Sequence, residues 1–533
     1  MTLLLIFIAV VIFTCVLLNN ASSKVGVPVL LAFIVLGILL GNNGILPIHF
    51  EDYGFAEKIC TVALIFIMFY GGFGVRWNAV KGIAVEAGLL ATVGVAFTAG
   101  LTGLLCHFIL HWGWLESFLM GSVVSSTDAA SVFSVLRSRK LGLRNHTAPL
   151  LEIESGSNDP MSYMLTAVML SLMQGEVSGG KVLWMMFSQI VFGAGLGLLI
   201  AQAASWLVKR ISFATSGFDS LFIFAVALIA YALPSALGGN GYLSAYIVGI
   251  VLGNTEFRGR REMVSFFDGL TGLMQVVIFF LLGLLARPAM MNKVILPALA
   301  IFAILFFVSR PLSILTVLTP FRKYPFRQQA LISFVGLRGA ASIVFAISAT
   351  VGNTLLQNDI FNIVFCIVLL SIALQGTLIP FVAKSLNMID ETSDVMTTFS
   401  DFSDETDMQF SEIQISASSP WLNRQVKDLG IPKTILLCML VHPDGTKVIP
   451  NGYTVLQEGD VVILCSKAYH GEHTLRIVEY VVPSYNKYIG KSIKDYPTSK
   501  NQIILLRRGE ESIIPHGDTI LQAGDKLYIN KSM

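Results

Sequence analysis

The chain is too rich in apolar residues and too poor in charge to be soluble along its whole length. Of its 533 residues, 54% are hydrophobic and 13% are charged, whereas soluble domains carry about 25% charged residues. The formal net charge of +2 gives no reason to expect a nucleic acid partner. The six cysteines contain no CxxC pair, so we expect neither a zinc site nor a disulfide framework.

Thirteen apolar stretches long enough to cross a membrane precede residue 386, and the composition beyond it is that of a soluble domain. The stretches cover residues 3–18, 26–41, 58–75, 83–110, 115–136, 149–174, 182–208, 218–234, 240–255, 265–286, 293–319, 326–350 and 358–385. The sequence therefore predicts an all-α membrane domain of thirteen transmembrane helices over residues 1–385.

Basic residues are concentrated in alternate loops, which indicates the orientation of the chain. One set of loops carries fifteen lysines and arginines, and the other set carries four, which are Lys58, Lys181, Arg287 and Lys293. Because the more basic loops of membrane proteins stay in the cytoplasm, we expect the N-terminus outside the cell membrane. An odd number of spans then places the C-terminal domains in the cytoplasm.

The membrane part repeats itself at an offset of about 211 residues. The matching words are LLAFIVLGILLGN (30–42) with LSAYIVGIVLGN (243–254), GFGVR (72–76) with GLLAR (283–287), and TDAAS (127–131) with RGAAS (338–342). The offset spans seven predicted helices, an odd number, so the two copies face opposite ways across the membrane. An inverted repeat with interrupted helices in matching positions is typical of secondary transporters.

Carboxylates inside apolar sequence indicate a functional site. Asp128 and Asp159 both lie in predicted spans, where a charged side chain costs about 3 kcal/mol and is retained when it faces a cavity. Ser155 and Asp159 share one face of a helix, and Glu154 and Asn158 share the adjacent face. Oxygen ligands suit an alkali cation, and burial favours a protonated carboxyl group. We therefore expect a proton and a cation to compete for Asp159, which is sufficient for antiport.

Two arginines inside predicted spans are further candidates for the site. The repeat aligns Thr127 and Asp128 with Arg338 and Gly339. Interrupted helices expose partial charges at their ends, which an aspartate and an arginine could each compensate. Arg310 precedes a proline within another span, and an arginine at membrane depth is usually functional.

The words SSTDAAS (125–131), EIESGSNDP (152–160) and GLRGAAS (336–342) closely resemble those of NhaP-type antiporters, the electroneutral branch of the monovalent cation:proton antiporter superfamily. The resemblance covers about residues 1–385. It implies that Asp159 carries both ion and proton, with Thr127, Asp128 and Ser155 as further ligands. It also implies that Asn158 supports the site, and that Glu154 is held by a basic residue, either Arg310 or Arg338.

Other properties follow from the same resemblance. An asparagine at position 158 is typical of the branch that exchanges one cation for one proton. The family implies a homodimer, in which a core bundle carries the site past a fixed dimerisation domain. It implies a transporter, neither an enzyme nor a protein with a cofactor. The family often has proline after the first aspartate, whereas Ala129 stands there in this chain.

The C-terminal part contains an acidic linker and a second repeat. Residues 386–408 hold seven acidic residues and no basic one, which predicts a linker. VIPNGYTVLQEGDVVIL (448–464) matches IIPHGDTILQAGDKLYI (513–529) at an offset of 65 residues. Alternating apolar residues and glycine turns predict short strands, and a helix-like segment precedes each copy. We therefore predict two small α+β domains, residues 409–470 and 471–533.

These two domains resemble RCK C-terminal (TrkA-C) domains, which bind small regulatory ligands, among them cyclic di-AMP in several bacterial potassium transporters. The positions that match ligand-binding ones are Ile449, Pro450 and Asn451 in the first copy, and Arg507, Ile514, Pro515 and His516 in the second. A structural β-turn explains the Pro-x-Gly words equally well. Because RCK-type domains usually accompany potassium transport, the resemblance favours K⁺ as the exchanged cation.

Three other functions remain open from the sequence. A sodium/proton exchanger would use the same residues, because ligand type alone does not separate Na⁺ from K⁺. A ligand-gated channel would need a filter of repeated carbonyl groups, and no TVGYG-like word occurs. A carrier of organic anions would need cationic ligands at the membrane midplane, where this chain has carboxylates.

Overall fold

The computed structural model divides the chain into two compact units, Met1–Asp404 and Glu405–Met533. It describes residues 2–25, 28–41, 50–139, 141–175, 179–211, 216–255, 260–352, 356–390, 408–417, 419–432, 434–467, 477–483, 485–495, 501–509, 511–513 and 515–531. The first unit is helical, and the second is built from strands.

The described residues of the first unit form nineteen α-helices and two short strands. The helices are α1 (Thr2–Val25), α2 (Val29–Leu40), α3 (Tyr53–Gly74), α4 (Trp77–Val80), α5 (Ala84–Leu89), α6 (Val95–Leu110), α7 (Trp114–Val123), α8 (Ala129–Ser138), α9 (Thr147–Met173), α10 (Gly179–Arg210), α11 (Ser216–Ala236), α12 (Gly241–Gly253), α13 (Arg260–Leu285), α14 (Met291–Ile304), α15 (Arg310–Leu318), α16 (Phe326–Phe334), α17 (Ala340–Gly352), α18 (Ile360–Leu370) and α19 (Thr377–Ser385). The π-helical segments Leu90–Gly94, Leu305–Ser309 and Ser371–Gly376 join α5 to α6, α14 to α15 and α18 to α19. The strands are β1 (Gly142–Leu143) and β2 (Ile389–Asp390).

Local sequence explains where several helices begin. Asp52, Asn240 and Asp359 stand immediately before α3, α12 and α18. Each side chain accepts a hydrogen bond from the backbone N–H three residues later, at 2.8, 3.0 and 3.1 Å. An aspartate or asparagine in this position satisfies a donor that the first turn of a helix leaves free.

The first unit is a helical membrane protein. Among its described residues, seven helical stretches are long and apolar enough to cross a membrane, and four apolar helices are shorter. Each of the thirteen predicted segments contains helix, but segments 115–136 and 326–350 are interrupted and so lack one continuous helix of spanning length. Large apolar side chains such as Leu183, Phe307 and Phe381 are exposed on the outside, as a lipid environment requires. The number of thirteen spans stays a prediction.

The inverted repeat is visible in two matching helix contacts. The repeat aligns α2 with α12 and α3 with α13. In the structure, α2 packs against α13 and α12 packs against α3, so the same contact occurs in both copies. A Cβ atom added at Gly37 or Gly283 would overlap the backbone of the facing helix, and the same holds for Gly72 and Gly249. The offsets that relate these glycines are 212 and 211 residues. Both copies therefore use glycine in the same place to let two helix backbones touch.

The two interrupted helices also correspond. Residues 124–128 separate α7 from α8, and residues 335–339 separate α16 from α17, again at an offset of 211. Proline at position 160 does not interrupt α9, which is helical from Thr147 to Met173. The breaks in the helices therefore fall at the aligned sequence motifs that contain Asp128 and Arg338.

The second unit contains two four-stranded antiparallel sheets with the same strand order. Its strands are β3 (Met408–Gln414), β4 (Ile435–Val441), β5 (Lys447–Val448), β6 (Val461–Lys467), β7 (Ile477–Val481), β8 (Asn501–Arg508), β9 (Glu511–Ile513) and β10 (Lys526–Lys531). The orders are β3-β6-β4-β5 and β7-β10-β8-β9. Buried Leu456 and Val462 of the first sheet correspond to Leu521 and Leu527 of the second at the predicted offset of 65.

The helices predicted before each repeat of the second unit are absent from its described residues. Single 3₁₀ turns, Val426–Asp428 and Ile493–Asp495, stand in their place. Isolated β-bridges at Gln425 and Ser492 fix the residue before each turn in an extended arrangement. The segment that remains is too short for its helical hydrogen bonds to offset the free-energy cost of nucleating an α-helix. The described residues of the expected α+β domains are therefore largely β.

The predicted linker, residues 386–408, differs from the structure at both ends. β2 lies inside it and pairs with β1 in an antiparallel register, Gly142 with Asp390 and Leu143 with Ile389. Met388 is buried beside this pair, and its carbonyl accepts a hydrogen bond from the Arg144 N–H at 3.0 Å. Met408 begins β3. Residues 391–407 lie outside the described part of the chain.

The glycine contacts predict a difference in stability between two substitutions in one helix. We expect Gly283→Ala to lower the apparent melting temperature of the purified protein, because overpacking costs about 1–3 kcal/mol. Gly272→Ala, also in α13, is the matched control, since a Cβ atom there would meet no atom within 4 Å. Equal melting temperatures of the two variants would contradict the close packing of α2 on α13.

Candidate functional site

The two interrupted helices meet where their non-helical links cross. The Asp128 N–H in the first link donates a hydrogen bond to the Leu337 carbonyl in the second, at 2.8 Å. A Cβ atom at Gly339 would overlap the Asp128 carboxylate, so this approach requires glycine. The crossing therefore brings the two aligned words of the repeat into direct contact.

Side chains of α9 hold the first link by binding polar groups that the break between α7 and α8 leaves without helical partners. Ser155 Oγ donates to the Thr127 carbonyl at 2.7 Å. Asn158 Nδ2 donates to Thr127 Oγ1 at 2.5 Å, and Asn158 Oδ1 accepts from the Thr127 N–H at 3.3 Å. A backbone interruption at membrane depth is stable only when protein groups satisfy it, and these contacts do so at Thr127.

The two aspartates at the crossing have different partners. Asp159 is 5% exposed and accepts a hydrogen bond from Ser126 Oγ. Asp128 stands at the start of α8, where its carboxylate accepts from the Ser131 N–H at 3.2 Å and from Ser131 Oγ. Asp128 thus compensates the positive end of a helix, whereas the contact described for the Asp159 carboxylate is the one with the Ser126 hydroxyl.

Of the two arginines proposed for Glu154, the structure pairs it with Arg310. Both guanidinium Nη atoms lie 2.9 Å from the carboxylate oxygens, in a bidentate arrangement. The side chains are 4% and 1% exposed. Asn158 Nδ2 also donates to Glu154 Oε1 at 3.2 Å. This ion pair therefore continues the network that holds the first link.

Arg338, the other arginine considered for Glu154, lies in the second link and contacts the first link instead. Its Nη1 donates to the Ser126 carbonyl at 2.7 Å, and its backbone N–H donates to Ser371 Oγ at 3.0 Å. The side chain is 3% exposed. The guanidinium of the second link therefore supports the backbone of the first, at the residue that also contacts Asp159.

The charged groups at the crossing do not balance. Among the described residues that form or hold the two links, three carboxylates, Asp128, Glu154 and Asp159, stand against two guanidinium groups, Arg310 and Arg338. One negative charge is left over when all five are ionised. An unbalanced charge in a low-dielectric interior is unfavourable, and one added positive charge would balance these five groups.

Sequence reasoning missed four side chains that hold the site, Ser126, Asn240, Ser371 and Gln375. Ser126 lies in one of the quoted words, but its contact with Asp159 depends on how the link turns. Gln375 Nε2 donates to the Phe334 carbonyl at 3.0 Å and Gln375 accepts from Ser371. Asn240 Nδ2 donates to the Pro160 carbonyl at 2.8 Å. The roles of Ser126 and Gln375 can be recognised only when the paths of the two interrupted helices are known.

Residues 8–385 match the family described as sodium/hydrogen exchanger, transmembrane. The chain belongs to the sodium/hydrogen exchanger family. Residues 410–469 and 477–530 of this exchanger each match the TrkA-C domain. The family match covers both interrupted helices and all five charged residues of the crossing.

Relatives and solved structures agree with this assignment. The K(+)/H(+) antiporter NhaP of Alkalimonas amylolytica is 32% identical over 469 residues, 87% of this exchanger and 81% of that protein. The K(+)/H(+) antiporter NhaP2 of Shewanella sp. strain ANA-3 is 34% identical over 466 residues, 84% and 78% of the two chains. The sodium proton antiporter MjNhaP1 of Methanocaldococcus jannaschii gives a TM-score of 0.62 at 22% identity, over 72% of this exchanger and 99% of that chain. The exchanger therefore has the cation/proton antiporter fold.

The candidate ligand positions of the first TrkA-C repeat lie on the surface. Ile449 is 85% exposed, and Pro450 is partly buried. Asn451 Oδ1 accepts from the Tyr453 N–H at 2.9 Å, so its side chain stabilises a turn. The structural explanation of this Pro-Asn-Gly word is therefore present in the fold.

The second repeat has the same turn but different charged neighbours. Arg507 and His516 are exposed, and Pro515 is partly buried. Ile514 lies outside the described residues. Arg508 contacts both carboxylate oxygens of buried Asp525 at 2.8 Å. It is thus engaged within the fold, while Arg507 faces solvent.

The ion pair at Glu154 predicts a non-additive effect on stability. We expect Glu154→Gln to lower the apparent melting temperature strongly, because removing one partner of a buried pair costs about 3–5 kcal/mol. Arg310→Gln should act in the same way. The double variant should recover most of the loss, since it leaves neither charge unpaired. Additive losses in a double-mutant cycle would contradict a direct, buried pair.

The acidic turn of the second TrkA-C repeat predicts a pH dependence. Although burial raises it, the pKa of Asp525 lies below its ordinary value because Arg508 and the Gln522 N–H stabilise the carboxylate. Its contribution is therefore present above the ordinary pKa of aspartate, about 3.9, and is lost as pH falls through the lower folded-state value. We expect the urea midpoint of residues 409–533 to fall in acid.

Variants of the same fragment separate this contribution from general acid effects. Arg508→Met should lower the urea midpoint at pH 7 and weaken its dependence on pH between neutral and acidic solution. Lys526→Met is the control, because Lys526 and Glu479 form an exposed pair with little expected effect. An Arg508 variant with the stability and pH dependence of the unsubstituted fragment would show that the pair with Asp525 is unimportant.

Proposed function

We propose that this exchanger is a secondary active antiporter that exchanges cytoplasmic K⁺ for H⁺ across the cell membrane, one for one. The proposal rests chiefly on the single negative charge left over at the crossing of the two interrupted helices. A site with one charge to neutralise accepts one proton or one monovalent cation, and the two exclude each other. Alternating access to the two sides then couples their movements in opposite directions.

Asp159 is the group that we assign to both substrates. The α8 terminus and Ser131 compensate the charge of Asp128, and Arg310 compensates that of Glu154. Among the described contacts of its side chain, Asp159 accepts a hydrogen bond only from Ser126. The carboxylate of Asp159 is therefore the one for which an incoming cation or proton offers the greatest gain. When the cation leaves, a proton replaces it, and the net charge of the occupied site stays the same.

Oxygen atoms around Asp159 would complete the coordination of the cation. We assign Asp128, Thr127 and Ser155 as further ligands, because the first link and α9 bring their oxygens to the crossing. Hard oxygen ligands of this kind suit alkali cations. Asn158 orients Thr127, and the Glu154–Arg310 pair in turn orients Asn158. Arg338 supports the backbone of the link.

Potassium is the cation that we favour, and sodium is the second candidate. Support for potassium comes from two relatives named K(+)/H(+) antiporters that cover most of the chain, and from the two TrkA-C domains. Support for sodium comes from the family description and from the sodium proton antiporter MjNhaP1. The ligand set is compatible with both ions, so transport assays must decide between them.

The topology and assembly of the exchanger form part of the proposal. Thirteen spans with the N-terminus outside and the TrkA-C domains in the cytoplasm agree with the distribution of basic loops. We further propose a homodimer in the plasma membrane, as the family resemblance implies. Light scattering of the detergent-solubilised protein should give the mass of two chains, and the mass of one chain would contradict the dimer.

We propose that the TrkA-C domains regulate transport by binding cyclic di-AMP. Candidate contacts are exposed Ile449 of the first repeat, and exposed Arg507 and His516 of the second, where an arginine can bind a phosphate group. Along the chain, β2 lies between the membrane helices and these domains. β2 pairs with β1, which lies between α8 and α9; α8 begins directly after Asp128, and α9 carries Asp159.

Exchange in everted vesicles tests the proposed transport. Addition of K⁺ to vesicles acidified inside should release protons, measured with a pH-sensitive dye, and parallel titrations with Na⁺ and Li⁺ should rank the cations. Asp159→Asn should abolish this release at normal expression. Asp268→Asn is the matched control, because Asp268 is an exposed aspartate of α13. Undiminished release from Asp159→Asn would refute the assigned site.

Calorimetry tests the regulatory ligand. Cyclic di-AMP titrated into residues 409–533 should give saturable heat, and Arg507→Ala should weaken binding by about tenfold, in line with the loss of one charge-assisted hydrogen bond. Lys526→Ala should leave binding unchanged. Absence of heat and of binding by an independent method would exclude this ligand.

A further inference from the structure

The second link is held by two buried side chains that the sequence motifs do not contain. Ser371 Oγ accepts a hydrogen bond from the Arg338 N–H at 3.0 Å and donates to Gln375 Oε1 at 2.5 Å. Gln375 Nε2 donates to the Phe334 carbonyl, at the end of α16, at 3.0 Å. The pair therefore spans the interruption, from the last carbonyl of α16 to the N–H of Arg338.

The position of this pair repeats the way in which the first link is held. There, Ser155 and Asn158 of α9, the helix that follows α8 along the chain, bind Thr127. Here, the helical segment that follows α17 supplies Ser371 and Gln375, from the π-helical stretch between α18 and α19. Single π-helical turns within α-helices occur frequently at functional sites.

The second pair differs from the first in what it positions. Ser155 and Asn158 position oxygen atoms of Thr127, whereas Ser371 and Gln375 fix the backbone of Arg338. The guanidinium of Arg338 then reaches the Ser126 carbonyl, and Ser126 Oγ donates to Asp159. A continuous series of contacts thus runs from the π-helical stretch after α18 to Asp159, without passing through any other candidate ligand of α9.

Burial makes each contact in this series significant. Ser371 is 0% exposed, Gln375 is 5% exposed and Arg338 is 3% exposed. Water therefore has little access to replace a lost hydrogen bond, and a freed backbone group would remain unsatisfied. Loss of the Ser371 hydroxyl should let the second link relax, which removes the support that Arg338 gives to residues 124–128.

We propose that Ser371 and Gln375 are positioning residues that set the cation affinity of the Asp159 site by holding Arg338 against Ser126. This inference rests on the proposed function, because it presumes that Asp159 binds the transported cation. The two side chains do not touch the cation. Their effect is on the alignment of the ligands before binding, on which affinity depends.

Transport kinetics of the full-length protein in everted vesicles test this role. We expect Ser371→Ala to raise the half-saturating K⁺ concentration about fivefold, the effect of losing one hydrogen bond, with a smaller change in maximal rate. Ser371→Thr keeps the hydroxyl and should restore the half-saturating concentration to within about twofold of the unsubstituted protein. Ser188→Ala is the matched control, since Ser188 is a buried serine that binds the Met185 and Gly238 carbonyls.

A second variant keeps the test decisive if Ser371→Ala does not fold. Gln375→Met removes the bond to the Phe334 carbonyl but leaves Ser371 in contact with Arg338, so it should also raise the half-saturating concentration. An unchanged half-saturating concentration in a folded Ser371 or Gln375 variant would overturn the inference, as would an equal rise in Ser188→Ala. Failure of the unsubstituted protein to exchange any cation would instead overturn the proposed function itself.

Discussion

An unbalanced carboxylate at the crossing of two interrupted helices is the constraint around which the membrane unit is built. Breaking a helix inside a membrane leaves backbone donors and acceptors that lipid cannot satisfy. The fold satisfies them with side chains: Asn158 and Ser155 at the first link, Ser371 and Gln375 at the second. On the proposed assignment, the charge that these contacts leave over is the one that a proton or a cation neutralises.

The internal symmetry of the fold explains how such a crossing arises. Two copies of one helical arrangement, inverted with respect to each other, bring their interruptions to the same place. Glycine pairs at matching positions, such as Gly37 with Gly283 and Gly72 with Gly249, let the helices around them approach closely. The copies have diverged in charge at the crossing, because the first carries Asp128 where the second carries Gly339. Gly339 leaves room for the Asp128 carboxylate, and the residue before it, Arg338, aligns with Thr127 of the first copy.

Much of this arrangement could be predicted from the sequence, because it depends on repeated words. The aligned motifs located both interruptions, and the scarcity of charge in the spans singled out Asp159 and Arg310. The partner of Glu154 could not be decided, because both arginines lie in spans and only the three-dimensional structure brings Arg310 to Glu154. Ser126 was missed because its orientation depends on the path of a non-helical link, which has no periodicity, and Ser371 and Gln375 were missed because their partners lie at such a link. In the tail, the offset of 65 residues anticipated matching strands, whereas the helix-like segments before them form only short 3₁₀ turns in their described residues.

The proposed mechanism depends above all on a site that neutralises a single negative charge with either one cation or one proton. Charge movement measured on a solid-supported membrane tests this most directly, because a rapid K⁺ jump on reconstituted protein can be recorded together with proton release. We expect proton release with no sustained transport current and no dependence on membrane potential. A steady current that scales with the rate of exchange would show that unequal charges cross, and would contradict it.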